Sequence, residues 1–182
     1  MPKENRTKYV ILGLLNHEDL TGYDIKKQVE NNLSNFWDIS YGQIYPELKK
    51  LENYKFISCR IDNSENGSLK KIYSITETGR TELISWLESS TRDERIKFEF
   101  LLKLYFSAEI KKDITIKNID DFIDRHSNKI KLYEKFDSNL SAALDNKDHK
   151  YRYLTLLFGI YMEEAFVKWG NEAKTFLENV DD

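Results

Sequence analysis

A chain of 182 residues, 40% hydrophobic and 13% aromatic, holds enough apolar mass for one domain or two small ones and is not a disordered chain. Its net charge of −3 excludes a uniformly basic polyanion binder: residues 1–90 carry 12 Lys and Arg against 13 Asp and Glu, and residues 91–182 carry 16 against 18. The longest apolar run, Leu154 to Met162, is too short to span a membrane, no signal-type stretch precedes Tyr9, and the single Cys59 excludes an internal disulfide framework, so a cytoplasmic protein is expected.

In chain order, Thr7–Leu15 is apolar on nearly every side, which predicts a short buried helix, and Asn16 to Asp19 end it. Thr21-Gly22-Tyr23-Asp24 predicts a second helix start, with Thr21 as N-cap and Asp24 at the positive end of the dipole. Ile25, Val29 and Leu33 share one face of it, and Phe36, Trp37 and Ile39 predict a connector set into the core. Ser40 predicts the N-cap of a third helix, with Ile44, Leu48 and Leu51 inward and Gln43, Tyr45, Lys49 and Lys50 outward. Pro46 lacks an N–H and crowds the carbonyl of Gly42, which predicts a kink in the first turns. Phe56–Ile61 and Lys71–Ile75 alternate as strands around the hairpin signal Asn66-Gly67. Thr76 to Arg80 caps a fourth helix that runs through Leu83, Ile84, Trp86 and Leu87. This order of elements predicts a winged helix-turn-helix.

Ser89 to Asp93 marks the boundary, which gives a winged-helix unit at 1–90 and a helical unit at 91–182. Glu94–Ala108 predicts one helix, with Leu101, Leu104, Tyr105 and Ala108 on a stripe. Ile119–Leu144 predicts a long amphipathic helix along Ile119, Ile123, His126, Ile130, Tyr133, Leu140 and Leu144. After a turn at Asp145–His149, a last helix over Tyr151–Leu177 aligns Leu154, Phe158, Tyr161, Ala165, Trp169 and Phe176, so the two form an antiparallel hairpin. The fold class is mainly α with a small β-hairpin.

A helix fits the major groove of duplex DNA, where outward polar side chains reach base edges and neighbouring cations hold phosphates. Ser40, Tyr41, Gln43, Tyr45 and Lys49 are so presented, and Gln43 suits a bidentate contact to adenine. Lys70 and Lys71 follow the hairpin tip, and Tyr23 and Lys27 lie four apart on the second helix, each pair placed for phosphates. Lys26, Lys27, Lys49, Lys50, Lys70 and Lys71 thus concentrate charge on the elements that meet the duplex, which answers the acidic total.

These stretches resemble the PadR family of winged-helix regulators over nearly the full length. The likeness runs through Tyr9 to Leu15, Thr21 to Ile25, Gly42-Gln43-Ile44-Tyr45-Pro46-Glu47-Leu48 to Leu51, Lys71 to Thr76 and Gly79-Arg80. Arg92-Asp93-Glu94 and Phe100 to Phe106 look like the longer family type with a helical second domain. The resemblance implies a dimeric regulator, usually a repressor, which some members release on binding a phenolic or other aromatic compound. One departure is Lys55, where the family favours glycine.

Leu154, Phe158, Tyr161, Ala165 and Trp169 belong to a helix that is apolar on more than one side, so a second copy is expected to cover one of them, and two readers then face a palindromic operator. Trp169, Tyr161, Phe158 and Phe106 are candidates for an effector cavity, although aromatics at helical spacing read first as core, and the effector site stays unassigned. Enzyme chemistry has no motif here, and no cofactor or metal is expected. His17, His126 and His149 are scattered, and His126 with Asp121 and Asp124 reads as a solvated helix face. Cys59 reads as a small core residue. The alternative to a DNA reader is a winged-helix module that binds protein.

Overall fold

The structure, a computed structural model, describes residues 6–34, 36–37, 39–63, 69–91, 96–141 and 147–180, the side chains of Tyr41, Asn63, Lys147 and residues 138–141 excepted. Two compact units divide the chain, Met1–Asp93 and Glu94–Asp182. No helix among the described residues is long and apolar enough to cross a membrane.

The first unit is built on α1 (Thr7–Leu15), whose Ile11 and Leu12 have no exposed surface, as its all-round apolar pattern predicts. Around it pack α2 (Gly22–Asn32), α3 (Tyr41–Asn53) and α4 (Glu77–Glu88), with Ile25, Val29, Ile44, Leu48, Leu51 and Leu83 in one core. Tyr9 stacks on Trp86 at 4.4 Å between ring centroids. In the connector before α3, Ile39 is buried and Trp37 packs on the core, but Phe36 is 55% exposed, a correction to its expected inward setting.

Three antiparallel strands, in the order β1 (Leu20–Thr21), β3 (Leu69–Ile75), β2 (Ile57–Asn63), close the unit. The two-residue β1 pairs Leu20 with Tyr73 and is too short to show alternation in sequence. Strands β2 and β3 are each two residues longer toward the turn than their apolar alternation predicts. The expected Asn66-Gly67 turn lies outside the described residues, as do Arg92-Asp93 in the boundary and Asp145-Asn146 of the turn expected at Asp145–His149. Lys147, Asp148 and His149 are a correction to that turn, since they already begin the last helix.

Capping explains the ends. Thr21 and Asp24 form a reciprocal capping box on α2, and the Thr76 hydroxyl accepts from Gly79 N–H at 3.1 Å on α4. Ser40 takes the N-cap position of α3 with extended backbone, yet its side chain makes no capping bond. Helix α3 continues through Pro46. It ends in a Schellman motif: Lys55 N–H bonds the Glu52 carbonyl and Phe56 N–H bonds the Leu51 carbonyl. That motif puts Lys55 at φ 59°, the left-handed conformation in which the family's glycine would carry no strain.

The second unit holds α5 (Glu99–Tyr105), a 3₁₀ turn (Ser107–Glu109), α6 (Lys112–Ser141) and α7 (Lys147–Asn179). Helix α5 is shorter than the stretch expected from residue 94 to 108, and α6 starts seven residues before Ile119. The hairpin of α6 and α7 is antiparallel, as Lys174 to Asp120 at one end and Gly159 against Tyr133 nearer the other require. Ile119, Phe122, Tyr133 and Glu163 are buried between the two helices, while the side chains of Leu140 and Leu144 lie outside the described residues.

Candidate nucleic-acid interface

The outward side of α3, the start of α2 and the strand β3 enclose an open cleft of about 760 Å³ lined by Thr21, Gly22, Tyr23, Asp24, Tyr45, Lys49, Glu52, Lys70, Lys71 and Tyr73. Five of the nine residues expected at a duplex lie on it: Tyr23, Tyr45, Lys49, Lys70 and Lys71. Lys27, Ser40 and Gln43 are exposed on the same unit without lining the cleft, and the Tyr41 side chain is outside the described residues.

Each side chain is held by its element. Gln43 and Lys49 face out because Ile44, Leu48 and Leu51, at 2% exposure or less, fix the rotation of α3. Tyr45, 59% exposed, lays its ring on Gly22: a Cβ at Gly22 would sit 2.7 Å from Tyr45 Cε1, so glycine lets α2 and α3 approach there. Burial first, then the neighbouring Cys59 and Glu52, push the Tyr73 phenol above its usual 10.0, so it remains a neutral hydroxyl at the cleft floor.

The charges sort into engaged and open groups. Lys26 pairs with Glu30 and lies over the Tyr23 ring, and Lys50 pairs with the buried Glu47 at 3.5 Å. Asp24 is taken up by the Thr21 capping box. Lys27, Lys49, Lys70 and Lys71 form no ion pair with a described residue, so the basic set offered to solvent is narrower than the six lysines the sequence marks. Sequence reading did not single out Gly22 as a contact, nor Ile61 and Leu69, exposed at 64% and 70% on the hairpin.

On the second unit, Leu154, Phe158, Tyr161 and Ala165 are exposed along one side of α7, and Phe176 is 66% exposed. Trp169 instead packs edge-on to Phe100 and Phe122. Phe158, Tyr161 and Phe106, each at least 60% exposed, are surface groups and do not enclose a cavity with Trp169 within this unit. His126 is also corrected: Asp121 and Asp124 are exposed as expected, but His126 turns inward, where Nδ1 meets Glu163 and the ring packs on Phe122 and Phe166.

The profile of the Transcriptional regulator PadR-like family matches residues 11–85, and that of Virulence activator alpha C-term matches residues 96–178. The negative transcriptional regulator PadR of Bacillus subtilis is 33% identical over 167 residues, 89% of this chain and 92% of that protein. The crystal structure of Bacillus subtilis PadR in complex with operator DNA superposes with a TM-score of 0.86 at 32% identity, covering 93% of this chain and 98% of that one. The same regulator in complex with p-coumaric acid gives 0.81 at 31%, covering 94% and 98%. These relatives are regulators and not enzymes. With its winged-helix unit followed by a helical one, the chain belongs to the PadR-like family of transcriptional regulators.

Proposed function

We propose that this regulator is a repressor that binds a palindromic operator as a homodimer, with residues 1–90 on the duplex and 91–182 holding the copies together. The observation that carries the reading is the cleft beside α3, where Lys49, Lys70 and Lys71 stand open to phosphates, with Gln43 exposed elsewhere on the same helix. Tyr23, Lys27, Ser40, Tyr41 and Tyr45 complete the duplex contacts, and Gln43 reads a base. A second copy covers Leu154, Phe158, Tyr161 and Ala165, which the chain's own helical unit leaves exposed, with Trp169 at the edge of that surface. The similar regulator bound to operator DNA supports the partner, and the one bound to p-coumaric acid supports release by a small aromatic effector. A second reading, activation, has the Virulence activator match over residues 96–178 in its favour.

Titration of duplex DNA against salt tests it. Binding through several phosphates weakens by orders of magnitude between low and moderate salt, whereas docking of a protein partner does not follow that law. Lys70→Ala and Lys71→Ala lower affinity equally on all sequences, and Gln43→Ala relaxes discrimination at one base position by about 1–3 kcal/mol. Sedimentation at one subunit mass, or Gln43→Ala with an unchanged sequence preference, would refute the corresponding half of the proposal.

A further inference from the structure

We propose that Ile61 and Leu69 form an apolar wedge with which the wing enters the minor groove of the duplex and favours A·T pairs there. The inference rests on the duplex reading proposed above and adds a second sequence reader to it.

Register places the pair. Cys59 pairs with Tyr73 and Ile61 with Lys71, and alternation puts these four and Leu69 on one side of the β2–β3 ribbon. At its base that side is core, with Ile57 2% and Tyr73 7% exposed. Beyond the helices the same side continues as Ile61 and Leu69, now 64% and 70% exposed and diagonal to one another across the ladder. Lys70 and Lys71 line the cleft beside α3 from opposite sides of the ribbon, and Leu69, next to Lys70, and Ile61, paired with Lys71, adjoin that end of it.

Charge selects the occupant. The three lysines of the cleft, Lys49, Lys70 and Lys71, outnumber its carboxylates, Glu52 and the Asp24 held in the capping box. They form no ion pair with a described residue, so a second copy of the chain seated there would have to bury them. Two phosphate strands flanking a groove match cations that flank apolar side chains. With α3 in a major groove, the groove next to it across one strand is a minor groove, too narrow for a helix and wide enough for two aliphatic side chains. Its floor presents only acceptors at A·T pairs, but guanine adds an N2 amino donor that an aliphatic group leaves unsatisfied.

The experiment uses the full chain and a duplex that the wild-type protein selects from a randomised pool. At the wing-side positions, A·T pairs are replaced by G·C and by inosine·C, which keeps the G·C major groove and removes the minor-groove amino group. The wild type loses about tenfold in affinity on G·C and recovers on inosine·C. Ile61→Ser/Leu69→Ser binds the A·T duplex about tenfold more weakly, no longer distinguishes the three duplexes, and keeps its salt dependence. Lys70→Ala/Lys71→Ala does the reverse: its log–log salt slope drops by about 2 and its preference among the duplexes stays. Inosine·C behaving like G·C, a wild-type affinity for the serine variant, or a change in its assembly mass would overturn the wedge. Failure of the wild type to select any duplex would overturn the duplex reading itself, and is seen before any variant is made.

Discussion

Tyr45 covers Gly22 so closely that a methyl group on Gly22 would lie 2.7 Å from Tyr45 Cε1 and 3.1 Å from Cζ. The contact joins the first residue of α2 to the exposed side of α3, so it sets what the cleft presents and not only how the core packs. The obstacle is the outer end of an exposed ring, not backbone, and the ring can swing away. Gly22→Ala therefore changes stability by less than about 1 kcal/mol, the better helix propensity of alanine offsetting the lost contact. Duplex affinity falls because Tyr45 is displaced into the cleft. Gly22→Ala/Tyr45→Ala then binds no worse than Tyr45→Ala alone, whereas additive losses in the titration would show that the two positions act separately.

Lys55 carries a conformational cost that the sequence flags and the backbone locates. Its φ of 59° and the two Schellman hydrogen bonds fix a left-handed residue between α3 and β2, and its carbonyl accepts the Thr76 hydroxyl at 2.7 Å. An L side chain there costs about 1–2 kcal/mol, part of which glycine gives back as entropy of the unfolded chain. Lys55→Gly is expected to raise stability by about 0.5–1 kcal/mol in urea unfolding at unchanged DNA affinity. A loss of stability would mean that the lysine side chain contributes more than its backbone costs.

The winged-helix unit was legible because its signals are local and mutually consistent: the all-round apolar α1, the Thr21 and Thr76 caps, and the Ile44, Leu48, Leu51 stripe each specify an element without help from the others. Features that depend on partners distant in sequence were not legible. Strand β1 exists only through its pairing with Tyr73 and Ile72, and the side of the hairpin on which Ile61 and Leu69 lie follows from a register that composition does not state. His126 stood among aspartates, so its neighbours pointed to a solvated face, yet its spacing from Ile119 and Tyr133 put it on the buried stripe. Helix α6 begins early for the same reason: Thr115 is buried in a stretch whose charges mask the period.

Acid should loosen the first unit through Glu82. The hydrogen bond from Lys8 at 2.7 Å, more than burial opposes it, holds the Glu82 carboxyl below its ordinary 4.5, with Tyr9 donating a second bond. For Lys8, burial is the largest single effect and works against the charge, but the hydrogen bonds and charges of Glu82 and Tyr9 together outweigh it and raise the ammonium above 10.5. A depressed carboxyl contributes stability above its unfolded value and loses it as pH falls through the folded one. Thermal stability, followed by near-ultraviolet dichroism of the neighbouring Tyr9–Trp86 stack, thus drops below about pH 4.5, and Glu82→Gln flattens that drop. Parallel curves for the two proteins from neutral to acid pH would remove Glu82 from the account. The Lys8 contribution fades only above pH 10.5.

Glu163 poses the opposite problem, a carboxylate inside an aromatic cluster. Its side chain is 8% exposed, one oxygen meets His126 Nδ1 and the other accepts from Lys129 at 3.2 Å, while Phe122 and Phe166 pack on the imidazole. Taking these polar groups from water costs free energy that their mutual contacts offset only while every partner is present. Glu163→Ala leaves the His126 imidazole facing an apolar gap, while Lys129, half exposed, turns to solvent, and is expected to destabilise the α6–α7 hairpin by about 3 kcal/mol in urea unfolding. Exchanging both buried members, His126→Leu with Glu163→Met, removes the polar groups together at similar volume and is expected to restore most of that loss. Equal stability of the single and double variants would refute this account, since the double variant restores the volume and removes the stranded imidazole together.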